Sequence, residues 1–343
     1  MTVCPAFRLN FFSGIQPVDA KVTFMSEVAS DNTYINWLLT LPRPGEENIL
    51  AFYEDRLGLI CTNPRLMLMP IDDHLAHRGD GVFESLKAER GRVYLLPEHL
   101  ARLEKSAGAM GLALPCPRAE LQKLTLAVAA AGGEPHCMLR ILLGRGPGGF
   151  GIDPAESPRP SLYIVAYRFQ PREKNWFMRG QRAFRSRYPA KPAAVAQVKN
   201  TAYQTAVAML REEQARGSGP ALLFDNENCL AEGAISNVCL ICPDPASPQG
   251  AKLVAPDFSH ALPGTTLLRI IELLRPVIPT EIRKVREEEI FTALEMLQTG
   301  TTVDCASITH YEDRPIGSGE PGPWAARIRE LLARDLDENG LKF

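Results

Sequence analysis

Lys199, Glu232 and two Gly-Thr turns are the residues of this chain whose types and spacing could do chemistry together. Lys199 ends a short apolar run, Ala193 to Val198, that reads as a strand, and it opens a run from Asn200 to Leu210 that reads as a helix. A lysine at such a junction can be buried, and burial lowers its pKa until part of the amine is neutral and nucleophilic. Downstream come Glu232-Gly-Ala-Ile-Ser236-Asn237, then Pro263-Gly264-Thr265-Thr266 heading a helix, then Gly300-Thr301-Thr302 following another. Together they supply an amine that can form an imine, a carboxylate for a ring nitrogen and two clusters of N–H donors for a phosphate dianion. Pyridoxal 5'-phosphate requires that set of a protein.

Each residue also has a plainer reading. Lys199 alone is an ordinary solvated lysine, and Glu232 alone an exposed hairpin glutamate after the turn Asp225-Asn-Glu-Asn228. A Gly-Thr pair at a helix start is commonly a simple cap. Arg102, on the helix that begins at Pro97, is either a wet-face arginine or a bidentate donor to phosphate. Arg140 stands in the apolar strand His136–Leu143, where a charge needs a partner; it is either a clamp for a substrate carboxylate or the mate of a nearby acid. Phe83, Met138, Phe150 and Tyr203 are candidates for the substrate pocket.

The rest of the chain excludes rival chemistries. There is no G-x-S-x-G, G-x-x-x-x-G-K-[ST] or H-E-x-x-H, and Gly144-Arg-Gly-Pro-Gly-Gly lacks a Walker lysine and a dinucleotide fingerprint. Cys239 and Cys242 form C-x-x-C within an alternating strand-like run, with no second pair or histidine cluster nearby, so no metal site is expected. With 38 basic and 40 acidic residues the net charge is −2, with no basic block, which points away from nucleic acid and towards a small-molecule partner. No secretory leader or run of eighteen apolar residues is present, and eight scattered cysteines suit reduced thiols, so a cytoplasmic protein without membrane attachment is expected.

The positioning elements follow from periodicity. A length of 343 residues suggests two domains. Residues 1–45 read as an N-terminal extension with a possible strand at Lys21–Met25 and a helix from Asp31 to Leu39. Residues 46–170 read as a small α+β domain. Its strands are Ile49–Tyr53, Leu57–Cys61 and Leu66–Met69, a hairpin turning at Glu89-Arg-Gly-Arg92, and Ser161–Tyr167; its helices are Pro97–Met110 and Arg118–Ala131. Residues 171–343 read as the larger cofactor domain, with strands Ala221–Phe224, Val238–Cys242 and Lys252–Ala255 and helices Thr201–Gln214, Thr266–Arg275 and Glu287–Leu297.

These residues resemble the class IV, fold-type IV pyridoxal phosphate enzymes: branched-chain and D-amino acid aminotransferases and 4-amino-4-deoxychorismate lyases. The resemblance runs from about Ile49 to Leu332. Gly79-Asp-Gly-Val-Phe-Glu84, Glu98-His-Leu-Ala-Arg102-Leu, the Lys199 helix, Glu232-Gly-Ala-Ile-Ser-Asn237, Leu262-Pro-Gly-Thr-Thr266, Thr299-Gly-Thr-Thr302 and Asp313–Pro323 carry it. It implies a two-domain α+β fold whose C-terminal part is a pseudo-barrel, and a homodimer. It also implies that Lys199 forms the Schiff base and shuttles protons, Glu232 pairs with the pyridine nitrogen and Tyr203 lies near the phenolic oxygen. Arg102, Ser236, Asn237, Gly264, Thr265, Thr266, Thr301 and Thr302 would surround the cofactor and its phosphate, and Arg140 the substrate carboxylate. Phe150 stands where the lyases carry a second arginine, which favours amino transfer between an amino acid and a 2-keto acid; pyruvate elimination is the alternative.

Overall fold

The computed structural model describes residues 28–343. The chain divides into two units, one ending at Leu41 and one running from Pro42 to Phe343. Of the first, the helix Asp31–Thr40 is described, with Ser30 accepting from the Thr33 N–H as its cap; the possible strand at Lys21–Met25 lies outside the described residues.

The second unit is α+β and built on two sheets. In the first, Leu341–Lys342, Arg92–Val93, Gly81–Glu89, Cys137–Gly144, Ser161–Tyr167, Ile49–Glu54 and Leu59–Cys61 follow one another in space, every pair antiparallel. The hairpin at Glu89–Arg92 turns through Arg90 and Gly91, both at positive φ, as a tight antiparallel turn demands. Alternation decides what each face does. Val82, Leu86, Leu139, Ile141 and Leu143 pack with Leu96, Leu100 and Leu103 of the helix Leu96–Ala109 and with Leu121 and Val128 of the helix Arg118–Gly132. Phe83, Met138 and Arg140 therefore lie on the opposite face.

The second sheet is mixed and runs Thr280–Arg283, Ala251–Pro256, Asn237–Pro243, Glu295–Gly300, Asp304–Tyr311, Gln181–Arg185, Ala221–Phe224, Leu230–Gly233. Its apolar faces bury the helices Thr265–Leu274 and Pro323–Asn339 on one side. The strand Leu341–Lys342 returns to the first sheet, so the C-terminus closes the chain back onto its N-terminal half.

Four sequence expectations fail locally. Leu66–Met69 is not a strand: Pro64 lacks an N–H and starts a 3-10 turn over Pro64–Leu66, capped by Asn63. Ala193–Val198 is not a strand either; Pro192 and an alanine-rich run set a short helix, Ala193–Ala196. The expected helix Glu287–Leu297 is a 3-10 segment, Glu287–Thr292, followed by the strand Glu295–Gly300, whose Met296 and Leu297 are buried between strands on both sides. Gly300–Thr302 thus follows a strand, not a helix. The Cys239/Cys242 strand is buried almost continuously from Asn237 to Ile241 rather than on alternate residues.

Candidate active site

Lys199 lies where the sheets meet. Its carbonyl accepts the Phe83 N–H at 2.9 Å, Asn200 bridges Val82, and the Thr201 N–H reaches the Gly81 carbonyl at 2.9 Å. The segment is thus stitched along the strand Gly81–Glu89, and the Ser106 hydroxyl takes the Lys199 N–H at 3.2 Å. The amine is aimed at the open face: Nζ is 4.6 Å from the Phe83 ring centroid and 3.4 Å from the Tyr203 hydroxyl. Burial, seconded by the positive charge of Arg102, pushes its pKa down to about 8. Tyr203 directly precedes the helix Gln204–Arg216, and burial, with Glu232's negative charge, pushes its hydroxyl up to about 12. Near neutral pH that hydroxyl keeps its proton and remains a donor.

Glu232 comes from the strand Leu230–Gly233 and is buried. Its Oε2 accepts the Leu262 N–H at 3.0 Å and its Oε1 accepts Lys191 Nζ at 2.8 Å. Lys191 escaped the sequence reading; its only signal was a lysine between prolines, Pro189-Ala-Lys-Pro192, ahead of Lys199. Lys191, Lys199, Tyr203, Ala234 and Leu262 share one cavity of about 440 Å³, within the range of small-molecule sites.

The anion-binding candidates fall in two places, the N-terminus of the helix Thr265–Leu274 with Asn237 beside it and a separate small pocket at Ser236, Gly300 and Thr302. Gly264 precedes the helix without a side-chain cap, so the N–H groups of its first turn are unclaimed by any capping side chain. A Cβ on Gly264 would overlap Asn237 Oδ1, and Asn237 Nδ2 in turn donates to the Leu262 carbonyl at 2.7 Å. Thr265 and Thr266 are buried. Ser236 Oγ accepts from Gln298 Nε2 at 3.0 Å and lines a small pocket with Gly300 and Thr302, while Thr301 sits in the same turn. That turn is held to the first sheet by Lys87, whose Nζ lies 2.6 Å from Asp304 Oδ1. Thr299 Oγ1 is buried without a hydrogen-bond partner.

Arg102 is less free than a wet-face arginine. Its Nε and Nη2 chelate Glu84 at 2.8 and 2.7 Å, and Nη1 donates to the Pro263 carbonyl at 3.1 Å. His99 bridges the same Glu84, at 2.7 Å, to the Thr265 hydroxyl, at 3.2 Å. Burial raises the Glu84 carboxyl, but Arg102 and His99 outweigh it and hold its pKa at about 2. Arg140 contrasts with this: its Nε is buried without a partner, and its guanidinium lies 4.9 Å from the Phe83 ring centroid. Arg145, just beyond the same strand, does pair with an acid, 2.9 Å from Asp80. Met138 shares Arg140's face. Phe150 is not brought to this cluster; it is 63% exposed with its ring against His77.

The residues fit pyridoxal phosphate. A depressed lysine opens onto a cavity lined by both hydrogen-bond partners of a buried carboxylate, an uncapped helix start follows one of those partners, and Arg140 keeps a buried N–H open.

The Amino-transferase class IV family model matches residues 81–311. The chain belongs to that family. Class IV aminotransferases are enzymes of amino transfer, and the Lys199–Glu232 cluster falls inside the matched span. Among relatives, the chloroplastic D-amino-acid transaminase of Arabidopsis thaliana is 29% identical over 306 residues, covering 87% of this chain and 79% of that protein. The branched-chain-amino-acid aminotransferase of Pseudomonas aeruginosa is 23% identical over 266 residues, 75% of this chain and 84% of that one. The Escherichia coli branched-chain amino acid aminotransferase structure superposes with a TM-score of 0.73 at 22% identity, covering 82% of this chain and 92% of that one. A hypothetical aminotransferase from Mycobacterium tuberculosis in its PLP-bound form gives 0.69 at 24%, covering 84% and 99%. The shared fold is fold-type IV, two sheets meeting at the lysine. Among the described residues no helix is long and apolar enough to cross a membrane.

Proposed function

We propose that this aminotransferase uses pyridoxal 5'-phosphate, held by Lys199, to move an amino group from an amino acid of apolar side chain to a 2-keto acid. The observation that carries it is the Lys199 amine, depressed to about 8 and opening onto a cavity that is also lined by Lys191 and Leu262, the two partners of the buried Glu232 carboxylate. When bound, pyridoxal phosphate supplies an electron sink for negative charge developing at the substrate's Cα. Lys199 Nζ, partly neutral near its pKa, is the base that takes the Cα proton and the acid that returns it. Glu232 would hold the ring nitrogen, the Tyr203 hydroxyl would donate to the phenolic oxygen, and Ser236, Asn237, Gly264, Thr265, Thr266, Thr301 and Thr302 would supply donors for the phosphate. Arg102 braces that end through Glu84 and Pro263.

Arg140 offers its open N–H to the substrate carboxylate, and Phe83, Met138 and Tyr203 form apolar walls. The names of the Arabidopsis and Pseudomonas relatives support a D-amino or branched-chain donor. We assign the working form to a homodimer in which the exposed Phe150 and Ile152, 63% and 84% accessible, are covered by a second copy. The described cysteines are all free thiols, which suits the reducing cytoplasm.

Purified protein supplied with pyridoxal phosphate and offered a panel of L- and D-amino donors, with 2-oxoglutarate or pyruvate as acceptor, should form keto acid from apolar donors. Absence of product from every donor would overturn the reading. So would formation of 4-aminobenzoate from aminodeoxychorismate with no acceptor present.

A further inference from the structure

Glu232 has a cationic partner whose role the proposed chemistry leaves open. The two ends of the Lys191–Glu232 pair are unlike: the glutamate side chain is 6% exposed and the lysine side chain 37%. Glu232 is pinned from behind by the Leu262 N–H at 3.0 Å. Lys191 is anchored through its backbone, its carbonyl 2.8 Å from His260 Nδ1 and Pro192 leading into the helix Ala193–Ala196. Its ammonium, on a flexible four-carbon stem, is therefore the movable member of the pair.

We propose that Lys191 is a displaceable counter-ion: its ammonium and the cofactor's ring nitrogen compete for Glu232 Oε1, and Lys191 yields that oxygen and turns to water when the ring binds. The inference rests on the reading that Glu232 partners the ring nitrogen. Charge balance carries it further. Lys191, Lys199 and Arg140 all bear positive charge around this site, and Lys191 and Arg140 are among the charges that disfavour protonated Lys199. Arg102 is answered by Glu84, which also favours the charged form of Lys199, whereas no carboxylate lines the cavity itself and Lys191 is paired with Glu232. A protonated ring nitrogen arriving at Oε1 sets a further cation beside Lys191, where partial burial limits screening. The more exposed cation leaves. Glu232 stays paired throughout, first with the ammonium and then with the ring N–H, so the exchange never strands a buried charge.

The test compares binding of pyridoxal 5'-phosphate with binding of its deaza analogue, in which CH replaces the ring nitrogen, by equilibrium dialysis against wild type, Lys191→Met and Lys191→Gln. Removing the competitor should tighten pyridoxal phosphate binding on the order of fivefold in Lys191→Met, with no such gain for the analogue. If Lys191→Met fails to fold, as its melting curve shows, Lys191→Gln carries the same expectation. An equal gain for both ligands would mean that Lys191 merely obstructs the cavity and would overturn the proposal, as would unchanged or weaker binding of pyridoxal phosphate. Wild type failing to bind pyridoxal phosphate at all would instead sink the functional reading on which the proposal stands.

Discussion

Around Glu84 every charge is answered inside the fold, whereas around Glu232 the answer reaches water. Glu84 is fully buried, and its two oxygens are taken by Arg102 and His99, whose other ends run to Pro263 and Thr265. Glu232 is almost as buried, yet one of its oxygens depends on a lysine with more than a third of its side chain exposed. Close by, Lys199 is held partly neutral and Arg140 keeps a buried N–H without a partner. Burial does not separate a structural charge from a working one. What separates them is whether hydrogen-bonding capacity is exhausted within the fold or left for a ligand.

The contrast predicts that damage to the open cluster costs activity and damage to the closed one costs stability. The largest effect is expected for Lys199→Ala: amino transfer should fall by about a thousandfold or more, since nucleophile and proton carrier are lost together, while the melting temperature of the cofactor-stripped protein does not drop. Retained turnover in a coupled keto acid assay would break the contrast at its centre. Glu84→Gln should do the reverse. It strands the Arg102 guanidinium, 10% exposed, at a cost of about 3–5 kcal/mol read from denaturant midpoints. A stable Glu84→Gln protein with lost activity would mean that the closed cluster belongs to the working site after all.

Arg140→Met comes next in size. It should raise KM for the amino donor, lowering kcat/KM by roughly ten- to a hundredfold, the range of one charge-assisted hydrogen bond, with stability unchanged or improved because an unpartnered buried N–H disappears. Loss of stability with unchanged KM would place Arg140 with the structural charges.

The two clusters also differ in how far the sequence disclosed them. Lys199, Glu232 and the Gly264–Thr266 turn stood out as candidates because the chemistry expected of them is carried by residue type and order. The α+β character followed from alternation and periodicity, as Ser161–Tyr167 and the helix Arg118–Gly132 show, while fold-type IV came only with the family resemblance. Local structure at the lysine was not legible: Ala193–Val198 is apolar enough for a strand, and only its pairing with neither sheet leaves the alanines to their helical preference. Met296 and Leu297 misled in the opposite way, since a short apolar run between two strands has no period of its own. Lys191 and the Lys87–Asp304 bridge were invisible because each joins residues far apart in the chain, and nothing local marks the partner. Glu84 stood within a recognised motif, but its engagement of Arg102 and His99 depends on the helix Leu96–Ala109 crossing behind the strand.

The smallest expected effect sharpens the contrast most, because it asks what the open cluster costs the fold. In the cofactor-stripped protein Lys199 titrates at about 8 against an ordinary 10.5. Below pH 8 both folded and unfolded chains carry the proton, and the folded state bears the full penalty of a charged amine in a desolvated place. Between pH 8 and 10.5 the folded chain sheds its proton while the unfolded chain keeps it, so stability rises with pH across that window. Lys199→Met removes the penalty altogether. It should therefore stabilise the cofactor-stripped protein on the order of 2 kcal/mol at pH 7, an allowance reduced because the residue as a whole is only half-buried, and the advantage over wild type should shrink as pH rises from 8 to 9.5. Urea midpoints of both proteins at pH 7, 8.5 and 9.5 measure it. An advantage that stays constant with pH would be a packing effect of the methionine, and no advantage at pH 7 would mean that the amine lies in water and is answered as fully as Glu84.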